Sequence, residues 1–173
     1  KIRLGGNATK GFGTGGNYLK GKKAAEENYR ELIHAIKDAE LVFMTAGMGG
    51  GTGSGAIEIT ARIAASLAIP TFSIVTLPFS FESDVRKMLA YEATLNLQPF
   101  TNTLITIPND RLKGIVDPNL PLSSTLGLTD DILINCISGI TEIINPSGLI
   151  NIDFSHIKRM LDNSGGAYIG NGF

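Results

Sequence analysis

Gly47 to Gly55 is a run of nine residues that contains six glycines, separated only by Met48, Thr52 and Ser54. A tight strand-to-helix connection needs one or two glycines, so the density itself asks for another reason. The flanks narrow it. Leu41 to Ala46 (LVFMTA) reads as a buried strand, apolar on both faces. Beyond the run, Ala56, Ile57, Ile59, Ile63, Ala64 and Leu67 recur at three- and four-residue steps, which predicts a helix to about Leu67. Strand, glycine loop and helix start together make an anion site. Glycine lets the backbone approach a phosphate closely, and the unpaired N–H groups of the first helical turn point toward it.

The rest of the chain alternates in the same way. Lys1 to Leu4 (KIRL) is expected to end a strand. A second glycine-rich loop follows, with Gly11, Gly13, Gly15 and Gly16. Ala25, Tyr29, Leu32, Ile33 and Ile36 form one apolar stripe, predicting a helix from about Lys20 to Lys37. Pro70 introduces a strand (TFSIVT), Glu82 to Leu97 is the next helix, and Thr103 to Pro108 (TLITIP) is a further strand closed by Asn109-Asp110. After a linker at Leu120 to Ser124, Ser123 or Ser124 is expected to cap a long helix reaching Ile144. Asn145-Pro146-Ser147-Gly148 stops it. A short helix after Asp153 and a strand start at Ala167 to Ile169 complete the reading. The expected fold is α/β, a Rossmann-like parallel sheet with helices on both faces, followed by a long central helix. Ligands of such sheets bind at the carboxyl ends of the strands, where the glycine and charge signals fall.

Composition excludes some alternatives. A net charge of −1 over 173 residues leaves no basic footprint for nucleic acid. No apolar run approaches the ~20 residues of a membrane span, so no direct membrane insertion is expected. Cys136, the one cysteine, sits in an apolar helical pattern and reads as a small core residue. The chain begins at Lys1 without a methionine and reads as a piece of a longer protein.

Two familiar phosphate patterns almost fit. Gly11, Gly13 and Gly16 satisfy G-x-G-x-x-G, but a dinucleotide site also needs an acidic residue ending the next strand, which here ends in Thr45-Ala46. Gly16 to Lys22 spells G-x-x-x-x-G-K, yet Lys23 stands where a Ser or Thr would hold Mg²⁺. What does fit is GGGTGSG (Gly49 to Gly55). With it come GFGTGGN (Gly11 to Asn17), GKKAAEE (Gly21 to Glu27), PFSFE with Arg86 following, IPNDRL (Ile107 to Leu112) and GLINIDF (Gly148 to Phe154). In this order and over essentially the whole chain, they resemble the tubulin/FtsZ family of GTPases.

That resemblance implies specific roles. Gly49, Gly50, Gly51, Thr52 and Gly53 would hold the β- and γ-phosphates of GTP, and Gly15 and Gly16 would sense the γ-phosphate. Glu82 would accept from the ribose, and Arg86, one turn on, would bring positive charge toward the nucleotide. Asn109 and Asp130 match the guanine readers, an aspartate being able to accept two hydrogen bonds from guanine that adenine cannot offer in that pattern. Leu126 stands where the family usually stacks a phenylalanine on the base. Catalysis in the family is completed by a neighbouring subunit's N-x-D-F-x-D loop. Here that loop is Asn151, Asp153, Phe154 and His156, with His156 replacing the second aspartate. The implied layout is a nucleotide domain over 1–122, a central helix over 123–145, and the catalytic loop, a short helix and the start of a second domain over 146–173. The strand and glycine loop that begin the family's domain are not in the sequence, so the piece alone is expected to fold poorly and bind GTP weakly.

The function so implied is a cytoplasmic (or plastid) GTPase that binds GTP and GDP, with Mg²⁺ as a companion ion, and hydrolyses GTP between subunits. Its partners would be copies of itself in a head-to-tail filament at the division site, with membrane adaptors and division proteins reached through a C-terminal tail. A structural, nucleotide-binding filament protein with weak hydrolysis is the rival that His156 suggests.

Overall fold

The computed structural model describes residues 1–114 and 122–144. In chain order its elements are α1 (Tyr18–Glu27), α2 (Tyr29–Ile36), β1 (Val42–Gly47), α3 (Gly51–Ser66), β2 (Thr71–Leu77), α4 (Asp84–Leu97), β3 (Thr103–Pro108) and α5 (Leu122–Ile144). The three strands form a parallel sheet in the order β1-β2-β3, with Met44 beside Ser73 and Ser73 beside Leu104. Parallel neighbours cannot be joined by a hairpin, so α3 and α4 carry the chain back between them.

The side-chain period of two divides the strands between two faces. Val42, Met44, Ala46, Val75, Leu77 and Leu104 share one face with Ile57 and Ala61 of α3 and with Ala90, Ala93 and Leu97 of α4. On the other, Ile74, Ile105 and Ile107 meet Ile132, Leu133, Cys136 and Ile137 of α5. The layers are therefore helix, sheet, helix, as the alternation predicts. Burial pushes the Cys136 thiol above its ordinary pKa, in keeping with a core role.

Helix α3 is enclosed twice. Its side away from the sheet packs Ile59 and Ile63 against Ala25 of α1, Leu32, Ile33 and Ile36 of α2, and Ile2 and Leu4. Where α1 crosses α3 the two backbones touch. A side chain at Gly21 would run into the Gly51 carbonyl, and one at Gly55 would come within 2.6 Å of the Tyr18 carbonyl oxygen. Beside this crossing lies a buried carboxylate, Glu58, 3% exposed. The Tyr18 hydroxyl donates to its Oε2, Lys22 Nζ donates to its Oε1 at 2.7 Å, and Arg62 stands 3.8 Å away. Asn96 Nδ2 of α4 donates to the Tyr18 hydroxyl at 3.2 Å. Burial, and then the adjoining Glu58, push the Tyr18 phenol up to about 12. Lys22, the lysine of the near-miss G-x-x-x-x-G-K pattern, is thus engaged with Glu58 inside the fold.

Several boundaries differ from expectation. The single helix over 20–37 is two, because Asn28 breaks it. The Asn28 backbone leaves the helical region (φ −102°, ψ 24°), its Oδ1 accepts from Gly5 N at 2.9 Å, and its Nδ2 donates to Glu31 at 2.9 Å. Lys1 to Leu4 is not a strand; Ile2 and Leu4 reach the core without pairing in the sheet. Strand β1 is less buried than its composition implied, with Met44 buried but Thr45 and Gly47 exposed, since it is the edge strand among the described residues. Helix α3 begins inside the glycine run at Gly51, and α5 begins by Leu122, so Ser123 and Ser124 lie within the helix and not ahead of it. The expected segments beyond Ile144 lie outside the described residues.

Candidate functional site

Because the strands are parallel, their carboxyl ends open on one edge, and three connecting segments gather there. After β1, Met48 N donates to the Thr76 carbonyl at 2.9 Å, fixing the loop to its neighbour strand. Gly49 then adopts φ +93°, a conformation that L side chains rarely take, and a Cβ there would lie 2.8 Å from the Arg86 carbonyl oxygen. Its N–H donates to Ser54 Oγ at 3.0 Å, folding the loop back on its own helix. Gly50 occupies the N-cap position of α3 in extended conformation, and no side chain among the described residues caps the helix. The N–H groups of Gly51, Thr52 and Gly53 have no acceptor within the helix. With the partial positive charge of the helix start, they form a cradle for an anion.

The second glycine loop lies against this one. Gly15 and Gly16 have φ of +58° and +79°. Thr14 just before them is buried, with its Oγ1 3.3 Å from Thr52 Oγ1. The Asn17 side chain caps α1 by accepting from Lys20 N at 3.0 Å.

After β2, the Glu82 carboxylate accepts from Phe79 N at 2.9 Å through Oε1 and from Arg86 Nη1 at 2.7 Å through Oε2. The i,i+4 ion pair is therefore present, and Arg86 also flanks Gly49 through its backbone. After β3, Asp110 Oδ1 accepts from Ser80 N and Oγ at 3.0 and 2.9 Å, stitching the second and third segments together. Next to it, Asn109 is 8% exposed and its Oδ1 has no hydrogen-bond partner among the described residues. Leaving a buried amide oxygen unpaired costs about 1–3 kcal/mol, so among the described residues this edge of the sheet presents an acceptor without a donor. The short 3-10 helix Asn109–Gly114 packs against α5. Leu126 and Asp130 lie on α5, Asp130 exposed.

The structure thus gathers Gly15, Gly16, Gly49 to Gly53 and Arg86 around one helix start, and ties the Glu82 loop to the Asn109 turn. Asn151, Asp153 and His156 lie outside the described residues. Sequence reasoning passed over Thr14, Ser54 and the Ser80–Asp110 bridge. Ser54 was visible as one of two hydroxyls inside the glycine run; nothing in the pattern paired Thr14 with Thr52.

Residues 1–117 match the model of the tubulin/FtsZ family, GTPase domain. The chain belongs to that family. It is 43% identical over 172 residues to cell division protein FtsZ 1 of Methanocaldococcus jannaschii, which covers 99% of this chain and 47% of that protein. Its fold matches an empty FtsZ dimer from M. jannaschii with a TM-score of 0.89 at 42% identity, over 94% of this chain and 47% of that one. It also matches CetZ2 from Haloferax volcanii, solved as a GTPγS-bound protofilament, with a TM-score of 0.80 at 20% identity, over 95% of this chain and 49% of that one. This last likeness is one of fold. The chain spans about half the length of the curated relatives it matches. Within the tubulin/FtsZ family, the near-miss dinucleotide and G-x-x-x-x-G-K patterns need no explanation of their own.

Proposed function

We propose that this chain carries residues for the phosphates, ribose and base of a GTP site in a GTPase that assembles head to tail for cell division. The uncapped, glycine-lined start of α3 carries the reading. Such a helix start is an anion site in need of an anion. Support comes from the buried Asn109 oxygen on the same edge of the sheet, which has no partner among the described residues and suits a guanine donor, and from membership of the family.

In this reading the N–H groups of Gly50 to Gly53 and the Thr52 hydroxyl bind the β- and γ-phosphates, with Gly15 and Gly16 closing over them. Glu82 accepts from the ribose with a lone pair that its Phe79 and Arg86 bonds leave over. Asn109 and Asp130 select guanine, and Leu126 gives the base an apolar contact. Asn151, Asp153 and His156 serve the nucleotide of the next subunit, where Asp153 positions the attacking water. GTP and GDP are the ligands. Mg²⁺ belongs to the same proposal, although no cluster of metal-ligating side chains occurs among the described residues. Residues 1–122, 123–145 and 146–173 then correspond to nucleotide domain, central helix, and catalytic loop with the start of a second domain. Copies of the same chain are the principal partner, and adaptors at a cytoplasmic division site are reached through a tail beyond it. No helix among the described residues is long and apolar enough to cross a membrane.

Phosphate release measured alongside sedimentation tests this in the full-length protein. GTP should drive both pelleting and turnover, and ATP neither; equal response to ATP would remove the guanine assignment. His156 favours a second reading, a filament with slow hydrolysis. Imidazole brings no negative charge to the water-positioning loop. His156→Asp should raise turnover at fixed protein concentration, and an unchanged rate would rule that reading out.

A further inference from the structure

Two hydroxyls face each other where the glycine loops meet. Thr14 Oγ1 and Thr52 Oγ1 are 3.3 Å apart, longer than the roughly 2.7–2.8 Å usual between hydroxyl oxygens. Thr14 has a prepared seat. It is 7% exposed, and its carbonyl accepts from Asn17 N at 3.1 Å. Its hydroxyl fits against α3 because position 51 has no side chain; a Cβ there would strike the Thr14 hydroxyl and lie 2.5 Å from the Asn17 carbonyl oxygen.

Each hydroxyl has one proton, and without a ligand either oxygen can be the donor. A phosphate at the first turn of α3 removes that freedom. Once Thr52 gives its proton to a phosphate oxygen, its own oxygen can only accept from Thr14. We propose that Thr14 is a positioning residue for the nucleotide phosphate, acting through Thr52 in a one-way chain from Thr14 O–H to Thr52 O–H to phosphate. An anionic acceptor strengthens the nearer bond, which polarises the farther one. Phosphate binding thereby draws the 11–16 loop onto α3, a coupling that uses no charge on the protein. The inference rests on the phosphate reading of the α3 start.

The test is calorimetric titration of GTP and GDP into the full-length protein and its Thr14→Val, Thr14→Ser, Thr52→Val and double-valine variants. Thermal midpoints without nucleotide serve as the folding control, and Thr14→Ala replaces Thr14→Val if the latter unfolds. Thr14→Val should weaken binding about five- to tenfold, the range of one hydrogen bond, and Thr14→Ser should restore it. The double variant should bind no more weakly than Thr52→Val alone, because the chain is already cut. Multiplying effects, or an unaffected Thr14→Val beside a weakened Thr52→Val, would overturn the relay while leaving the phosphate site standing. Nucleotide binding indifferent to Thr52→Val would remove the Thr52 hydroxyl from the site, and the relay with it, whereas no binding of either nucleotide by the unaltered protein would remove the phosphate reading itself.

Discussion

Helices α3 and α4 start at the same edge of the same sheet, each after a parallel strand, and they are finished in opposite ways. Helix α4 closes its own beginning: the Ser83 side chain accepts from Arg86 N, and Asp84 puts a carboxylate in the first turn. Helix α3 has Gly50 at the equivalent position, no capping side chain and no acidic residue in its first turn. The chain can cap a helix, and at one place it does not. The difference extends down both helices. Helix α3 buries its carboxylate, Glu58, under Tyr18 and Lys22, whereas the pairs Arg86–Glu82 and Lys87–Asp84 at the start of α4 face solvent with at least one partner. One helix has a buried ion pair behind an open end; the other closes on itself.

Breaking the buried anchor should have the largest effect. Glu58→Ala strands Lys22 and Tyr18 and should cost about 3–5 kcal/mol in urea unfolding, against a far smaller loss for Asp84→Ala on the exposed face of α4. Equal losses would erase the contrast. The alkaline limb comes next. The folded Tyr18 phenol titrates near 12 against an ordinary value of 10.0, so its stabilisation is complete below pH 10 and is lost as pH rises toward 12. The stability difference between the protein and Tyr18→Phe should shrink across that window. A constant difference would mean that the phenol is not held neutral.

A third experiment gives α3 what α4 has. Gly50 has open space around the position of a Cβ, so Gly50→Asp can cap the helix. The nucleotide-free protein should gain a few tenths of a kcal/mol, while GTP affinity falls about tenfold as the carboxylate competes for the same N–H groups. Stability and affinity rising together would show that the helix start is not the phosphate site. The smallest effect on affinity belongs to Ser83→Ala, which should lower stability by about 1 kcal/mol and leave GTP affinity within about twofold. A larger loss of affinity would make the α4 cap part of the site.

How far the sequence revealed this depends on whether a feature is local. Strands, helices and the glycine loop were legible because period and glycine density are properties of a short window. The break at Asn28 was not. The stripe of Ala25, Tyr29, Leu32, Ile33 and Ile36 runs straight across it, and the cause is a bond from Gly5, 23 residues away. KIRL alternates like a strand, yet Ile2 and Leu4 satisfy the core without a sheet partner. The exposure of β1 depends on what lies beside it, which its own residues do not state. At the site, Gly49 to Gly53 could be named from the run alone. The pairing of Thr14 with Thr52 and the bridge from Ser80 to Asp110 join residues 38 and 30 positions apart, where no window looks.

The backbone crossing of α1 on α3 also bears on how such a chain can change over generations. A packed core drifts by trading methyl groups between neighbours, but Gly21 and Gly55 have nothing to trade, because each already meets main chain. Single substitutions there are dead ends. A larger residue at either position requires the two helices to separate first, and separating them would move Thr14 away from Thr52. Diversity is therefore expected to collect at positions such as Gly6, where the space is open, and to be nearly absent along the crossing.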